Sequence, residues 1–192
     1  NQNKPPFEIG AFSFVELTPD PVTGKMISPT ERMQNLLETI ELADQVDLDV
    51  FGLGEHHRPD FSISSPEIVL GAIPGQTEQI KLGTAVTVLS SDDPVRVFQR
   101  FSTLDAVSNG RAEIILGRGS FTESYPLFGF DLGRYDELFE EKLALFAMLV
   151  QGGPVTWSGR TRSTLTDQVV YPPVGRGALQ TWVGVGGRPG MG

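Results

Sequence analysis

The chain's two histidines, His56 and His57, stand side by side in the stretch GLGEHHRP, residues 52–59. Histidine titrates closest to neutrality, so it can take up and return protons near pH 7. Glu55 precedes the pair and Arg58 follows it. Metal binding, acid–base catalysis and plain packing are the roles open to such a pair. Adjacent residues of a strand point to opposite faces, so His56 and His57 do not easily grip one metal ion together. HExxH is absent, no third histidine exists, and the chain has no cysteine. Thiolate metal sites, disulfides and cysteine nucleophiles are thereby excluded, and no metal site is expected. Acid–base work remains, weighed against a rim histidine bonded to a backbone carbonyl.

The histidines need a scaffold, and the sequence alternates short apolar runs with longer helical patterns. Strands are expected at Phe7–Val15, Leu48–Gly54, Ile80–Leu89, Ala112–Leu116 and Thr181–Val185. Ser28-Pro29-Thr30-Glu31 starts the first helix, with serine as cap and proline at the first helical position. Met33, Leu36, Leu37, Ile40, Leu42 and Ala43 give that helix an apolar face. Ser65-Pro66-Glu67 opens a second helix, which Pro74-Gly75 stops. Asp93-Pro94 opens a third, closed by Ser108-Asn109-Gly110. A fourth runs from about Arg134 to Val150. Residues 154–179 break the rhythm as a hairpin-like excursion between the fourth helix and the fifth strand. Leu36, Leu37, Phe98, Phe101 and Leu145 are expected in the core or at a subunit interface.

Strand–helix alternation at this spacing implies an α/β fold with a parallel sheet. A doubly wound sheet and a (β/α)8 barrel both fit it. The GxGxxG turn expected after the first strand of a dinucleotide-binding sheet is missing. A barrel takes about 250 residues, and only about five β/α units are present. The expectation is one domain over residues 1–192, an incomplete TIM (β/α)8 barrel. Parity on the second strand puts Val50, Gly52, Gly54 and His56 on one face, and Phe51, Leu53, Glu55 and His57 on the other. The bulky pair Phe51 and Leu53 suits packing under helices. His56 then points to the barrel mouth, where active sites of such folds sit.

Net charge is −9, from 15 Lys+Arg against 24 Asp+Glu. Such an acidic chain is a poor nucleic-acid binder. No apolar run reaches the roughly 20 residues of a membrane span, and no basic amphipathic stretch suggests a membrane surface. With no cysteine, a cytoplasmic location is expected.

EHHRP after strand two, LGTAVTVLSSDDPVR across strand three, SNGRAEIILGRGS across strand four and WVGVGG at strand five together resemble the bacterial luciferase-like, flavin-dependent monooxygenase family. The likeness covers about residues 7–187. It implies a (β/α)8 barrel binding reduced FMN at its C-terminal mouth. It also implies O2 and a small organic substrate, an aldehyde, alkanesulfonate or similar, with flavin supplied by a separate reductase. Homodimerisation through helices of the first half is implied as well. By the same resemblance, His56 matches the family's acid/base histidine and His57 the second one, with Glu55 placed to orient the pair. Ala85-Val86 match a non-proline cis peptide under the flavin ring, and Arg118 an arginine on the flavin phosphate. Gly117 stands where luciferase itself has a cysteine, which puts light emission in doubt. Gly186-Gly187 match a phosphate-binding turn, without luciferase's acid–serine pair. Two alternatives share the fold: hydride transfer with a deazaflavin coenzyme, and a non-catalytic or truncated flavin-binding member.

Overall fold

A computed structural model of the chain describes residues 7–175 and 178–186. In chain order the elements begin with β1 (Gly10–Ser13), α1 (Pro29–Gln45), β2 (Val50–Leu53) and α2 (Pro66–Ala72). Next come β3 (Lys81–Val88), α3 (Pro94–Val107), β4 (Ala112–Gly117) and α4 (Ser124–Phe128). The last are α5 (Tyr135–Gln151), β5 (Val155–Trp157), β6 (Leu165–Gln168) and β7 (Gln180–Val183). Five strands form one parallel sheet in the order β1-β2-β3-β4-β7. The excursion after α5 folds as the antiparallel hairpin β5-β6, outside that sheet.

The helix starts follow from their caps. Ser28 Oγ accepts the Glu31 N–H at 3.1 Å, and Asp93 Oδ1 accepts those of Val95 and Arg96 at 2.9 and 3.2 Å. Each contact satisfies a donor that the first helical turn leaves unpaired. Ser65 caps differently: its side chain makes no such bond.

The sheet has two unlike faces. Phe51, Leu53, Leu82, Ile114 and Leu116 point to the helix-covered side and are buried. Leu36 and Ile40 of α1, Phe98 and Phe101 of α3, and Leu145 of α5 are buried in the same cluster, with Leu37 partly buried against it. Burial of each such side chain contributes roughly 1.5–3 kcal/mol. The opposite face carries glycine at Gly52 and Gly83, which are register partners. A Cβ on Gly52 would sit 3.0 Å from the Ala85 Cβ, so β2 and β3 approach closely there. Phe12 and Trp182 on this open face are 65 % and 50 % exposed.

Several elements depart from the sequence reading. β1 pairs over four residues rather than nine, and at its C-terminal end Val15 adopts φ 56° and turns the chain out of the ladder. β7 stops at Val183, two residues early. The short helix α4 has no counterpart in the sequence reading.

Two buried polar anchors fix the loops. The Asp44 carboxylate at the end of α1 accepts the backbone N–H groups of Glu78, Gln79 and Ile80 at 2.8, 3.0 and 2.7 Å, leading into β3. Burial opposes its charge, but these three donors and Arg111 outweigh it and hold its pKa below the ordinary value. Asp44→Ala leaves three donors unpaired and is expected to cost about 3–5 kcal/mol of unfolding free energy. Because the folded pKa is depressed, the carboxylate's contribution is present above the unfolded pKa of about 3.9 and is lost as pH falls through the folded value. Urea melts at neutral and acid pH should show the deficit shrinking on acidification; a constant deficit would contradict the assignment.

The second anchor is Lys142 on α5. It lies on the same helical stripe as Leu138, Leu145, Phe146 and Leu149, all buried. Its Nζ donates to the Ser90 carbonyl at 2.7 Å and sits 3.8 Å from the Phe130 ring centroid. Burial pulls its pKa down to about 8. α5 is thereby tied to the turn that follows β3.

Candidate functional site

The C-terminal ends of the sheet strands open into a cleft. One part, about 390 Å³, is lined by Glu55, His56, His57, Ala85 and Val86. A second part, about 400 Å³, is lined by Gly117, Arg118, Tyr135 and Gly186. Val86, Gly119 and Ser120 line both, so the two are contiguous.

His56 follows β2 on the face that strand parity assigns to it. A Cβ on Gly54 would overlap Phe14 Cδ1 and lie 3.3 Å from the His56 Nε2, so that glycine leaves room first for the Phe14 ring and then for the imidazole. The imidazole stacks on Phe61 at 4.1 Å between centroids and meets Phe14 and Phe121 edge-on at 5.1 and 4.9 Å. It is 9 % exposed. Neither ring nitrogen has a hydrogen-bond partner among the described residues. Burial lowers its pKa, against the opposing pull of Glu16, Glu55 and Asp60. The ring is therefore neutral at pH 7, with one N–H and one lone pair unengaged.

His57 turns to different surroundings. Its Nε2 is 2.9 Å from Glu55 Oε1, and its ring meets Phe128 edge-on at 5.2 Å. The other oxygen, Glu55 Oε2, accepts the Val88 N–H at 3.1 Å. Glu55 thus orients His57, not His56, and clamps the loop after β2 to the end of β3. Breaking that clamp with Glu55→Ala should lower unfolding stability by about 1–3 kcal/mol, read by denaturant melts; an unchanged melt would show the clamp to be idle.

The Ala85–Val86 peptide is cis, and the β3–β4 register shifts there. The Val86 side chain fills the space beside two glycines. A Cβ on Gly117 would come within 2.6 Å of Val86 Cγ2, and one on Gly184 within 3.0 Å of Cγ1. Gly117 thus owes its identity to Val86, whose side chain occupies the position a side chain at 117 would need.

Arg118 lies at the far end of the cleft. Its guanidinium carbon is 5.2 Å from the Phe139 ring centroid, and its Nε is 3.6 Å from the exposed Asp136 carboxylate. That Nε is buried without a hydrogen-bond partner. The loop around it is fixed from below: Tyr125 donates to the Arg118 carbonyl at 3.2 Å and Tyr135 to the Gly119 carbonyl at 2.9 Å. Gly119 takes φ +81°, a conformation glycine adopts without steric cost. Gly186 borders open space on the same part of the cleft. Gly187 lies outside the described residues.

Residues 7–191 match the sequence pattern of luciferase-like monooxygenases. This chain belongs to the luciferase-like monooxygenase family. Limonene 1,2-monooxygenase of Rhodococcus erythropolis is 33 % identical over 121 residues, 62 % of this chain and 31 % of the relative. Among solved structures, the FMN complex of the oxygenating constituent of 3,6-diketocamphane monooxygenase from Pseudomonas putida superimposes with TM-score 0.76. It is 18 % identical, and the match covers 92 % of this chain and 50 % of that one. The coenzyme F420-dependent tetrahydromethanopterin reductase of Methanopyrus kandleri gives TM-score 0.68 at 21 % identity, covering 94 % and 50 %. At such identities the structural likeness speaks for the fold alone. The chain spans less than half the length of the curated relatives it matches. As in the sequence reading, no described helix of this luciferase-like chain is long and apolar enough to cross a membrane.

The expected residues Glu55, His56, His57, Ala85, Val86, Gly117, Arg118 and Gly186 all line this one cleft. Sequence reasoning missed the aromatic surround of His56. Phe14, Phe61 and Phe121 come from three separate loops, and their only signal was the clustering of phenylalanine near strand ends.

Proposed function

We propose that this chain carries the cofactor-holding part of a flavin-dependent monooxygenase that oxidises a small organic substrate with O2 and reduced FMN. The observation that carries this reading is the buried, neutral His56, both of its nitrogens unpartnered, in a cleft shared with Ala85-Val86. Buried polar atoms without partners are uncommon in folded proteins, and in a cleft they are available to a bound molecule.

The residues present fit a flavin. The buried Arg118 Nε, which has no hydrogen-bond partner among the described residues, offers a cation and donor for the phosphate, and Gly186 leaves backbone accessible beside it. Ala85 and Val86 would lie against the ring system. Reduced FMN bound there supplies the electrons and activates dioxygen, which side chains cannot do. His56 supplies a proton donor at one nitrogen and an acceptor at the other, close to neutrality. Phe14, Phe61 and Phe121 keep water from its ring. Glu55 holds His57, which supports the loop rather than exchanging protons with the substrate.

The wider reading has three parts. The open sheet would be the first five strands of a (β/α)8 barrel, with residues 1–192 one incomplete domain and 154–179 its insertion. The exposed Phe12 and Trp182 on its uncovered face support this. Reduced flavin would come from a separate reductase. A homodimer would form over the groove between α2 and α3, where Ile68 and Val107 are 75 % and 59 % exposed.

Structural likeness to an F420-dependent reductase keeps one alternative, hydride transfer with a deazaflavin. The reaction of the bound reduced cofactor with oxygen separates the two. Stopped-flow mixing of the full-length protein and reduced FMN with oxygenated buffer should return the flavin to its oxidised form, faster with substrate present. A protein that retains only reduced F420, inert to oxygen, would support the alternative.

A further inference from the structure

We infer that the part of the cleft beside His56 admits a largely apolar substrate with a single hydrogen-bonding oxygen, and excludes anions. This rests on the cleft being the reaction site proposed above. The walls near His56 are Phe14, Val88 and Phe121, so most of a bound molecule would meet hydrocarbon.

The charged groups there are carboxylates or cations already engaged. Glu55 and Glu123 line the cleft. Arg58 is bound by Asp60 at 2.9 and 3.1 Å and lies 3.6 Å from Glu123. His57 is taken by Glu55. A sulfonate or carboxylate would give up its hydration and face two like charges at short range, with no free cation among the described residues beside His56 to compensate.

A cation finds one open partner there, the buried Glu123 Oε2, which has no hydrogen bond among the described residues. Aromatic faces attract cations, but the Phe61 face is covered by His56 and that of Phe121 by Arg58 at 5.0 Å. Both Glu55 oxygens already accept hydrogen bonds. The unpaired His56 nitrogens suit one carbonyl or hydroxyl oxygen.

Two probes of one shape test this on the full-length protein by calorimetry: acetophenone and benzoate, each with and without FMN. Acetophenone is expected to bind at least tenfold more tightly than benzoate. Glu123→Gln is expected to raise benzoate affinity severalfold and to leave acetophenone affinity unchanged. Equal or tighter binding of benzoate, no binding of the ketone, or no response of benzoate to Glu123→Gln would overturn the inference. FMN binding measured in the same samples keeps the two readings apart. Flavin bound without ketone preference sinks only the substrate assignment; ketone preference without flavin binding sinks the cofactor reading and leaves the selectivity standing.

Discussion

His56→Ala is expected to lower oxygen-dependent turnover by about 10²–10⁴-fold, the range for loss of a positioned acid–base group, while leaving FMN affinity nearly unchanged. The expectation follows from the ring's isolation: no other described residue uses its nitrogens, so their loss breaks no hydrogen bond among the described residues. Burial lowers the His56 pKa below its ordinary 6.5. The neutral form therefore dominates at pH 7, and the proton-accepting nitrogen is lost only as pH falls through the depressed value. The acid limb of the kcat/KM profile should lie below pH 6.5 in the wild type and vanish in the variant. His56→Gln, which keeps more of the stack on Phe61, guards against a loss caused by repacking alone. Turnover within a few-fold of wild type in both variants would remove His56 from the chemistry.

Arg118→Ala is expected to weaken FMN binding by about 10–100-fold, the effect of losing charge-assisted hydrogen bonds to phosphate of about 1.5–3 kcal/mol. Riboflavin, which lacks the phosphate, provides the decisive comparison. Its affinity should be the same for wild type and variant. Structurally the residue is lightly held: its Nε lies 3.6 Å from an exposed aspartate, and stacking on Phe139 is its other contact on this side. The fold should therefore tolerate its removal. An equal loss of riboflavin affinity would mean that Arg118 shapes the cleft instead of binding phosphate.

How much of this was legible in the sequence depends on how local each signal is. Ser28 and Asp93 cap their helices with their own side chains, over two or three residues, and both starts could be read directly. The two faces of β2 follow from alternation, so the opposite settings of His56 and His57 were readable as well. β1 was overestimated because FEIGAFSFV is apolar apart from Glu8 and Ser13. Its end is set by the backbone turn at Val15, which composition does not encode. The short α4 carries Pro126 within five residues and buries Ser124 and Tyr125 against elements distant in sequence. Lys142 could have been noticed as a charge on the apolar stripe of its helix, but its partner, the Ser90 carbonyl, is 52 residues away. The same holds for the site. Glu55 stands beside both histidines in sequence, yet its second bond goes to Val88 across the sheet, and that contact decides which histidine it serves. The phenylalanines around His56 meet only because parallel strands bring their following loops to one end of the sheet.

The most direct test of the cofactor assignment is an anaerobic titration of the full-length protein with reduced FMN, repeated with reduced F420. Saturable binding of FMN, weakened in Arg118→Ala and retained in His56→Ala, is the result expected. Binding of F420 in preference to FMN, or FMN binding indifferent to Arg118, would contradict the reading of this cleft as an FMN site.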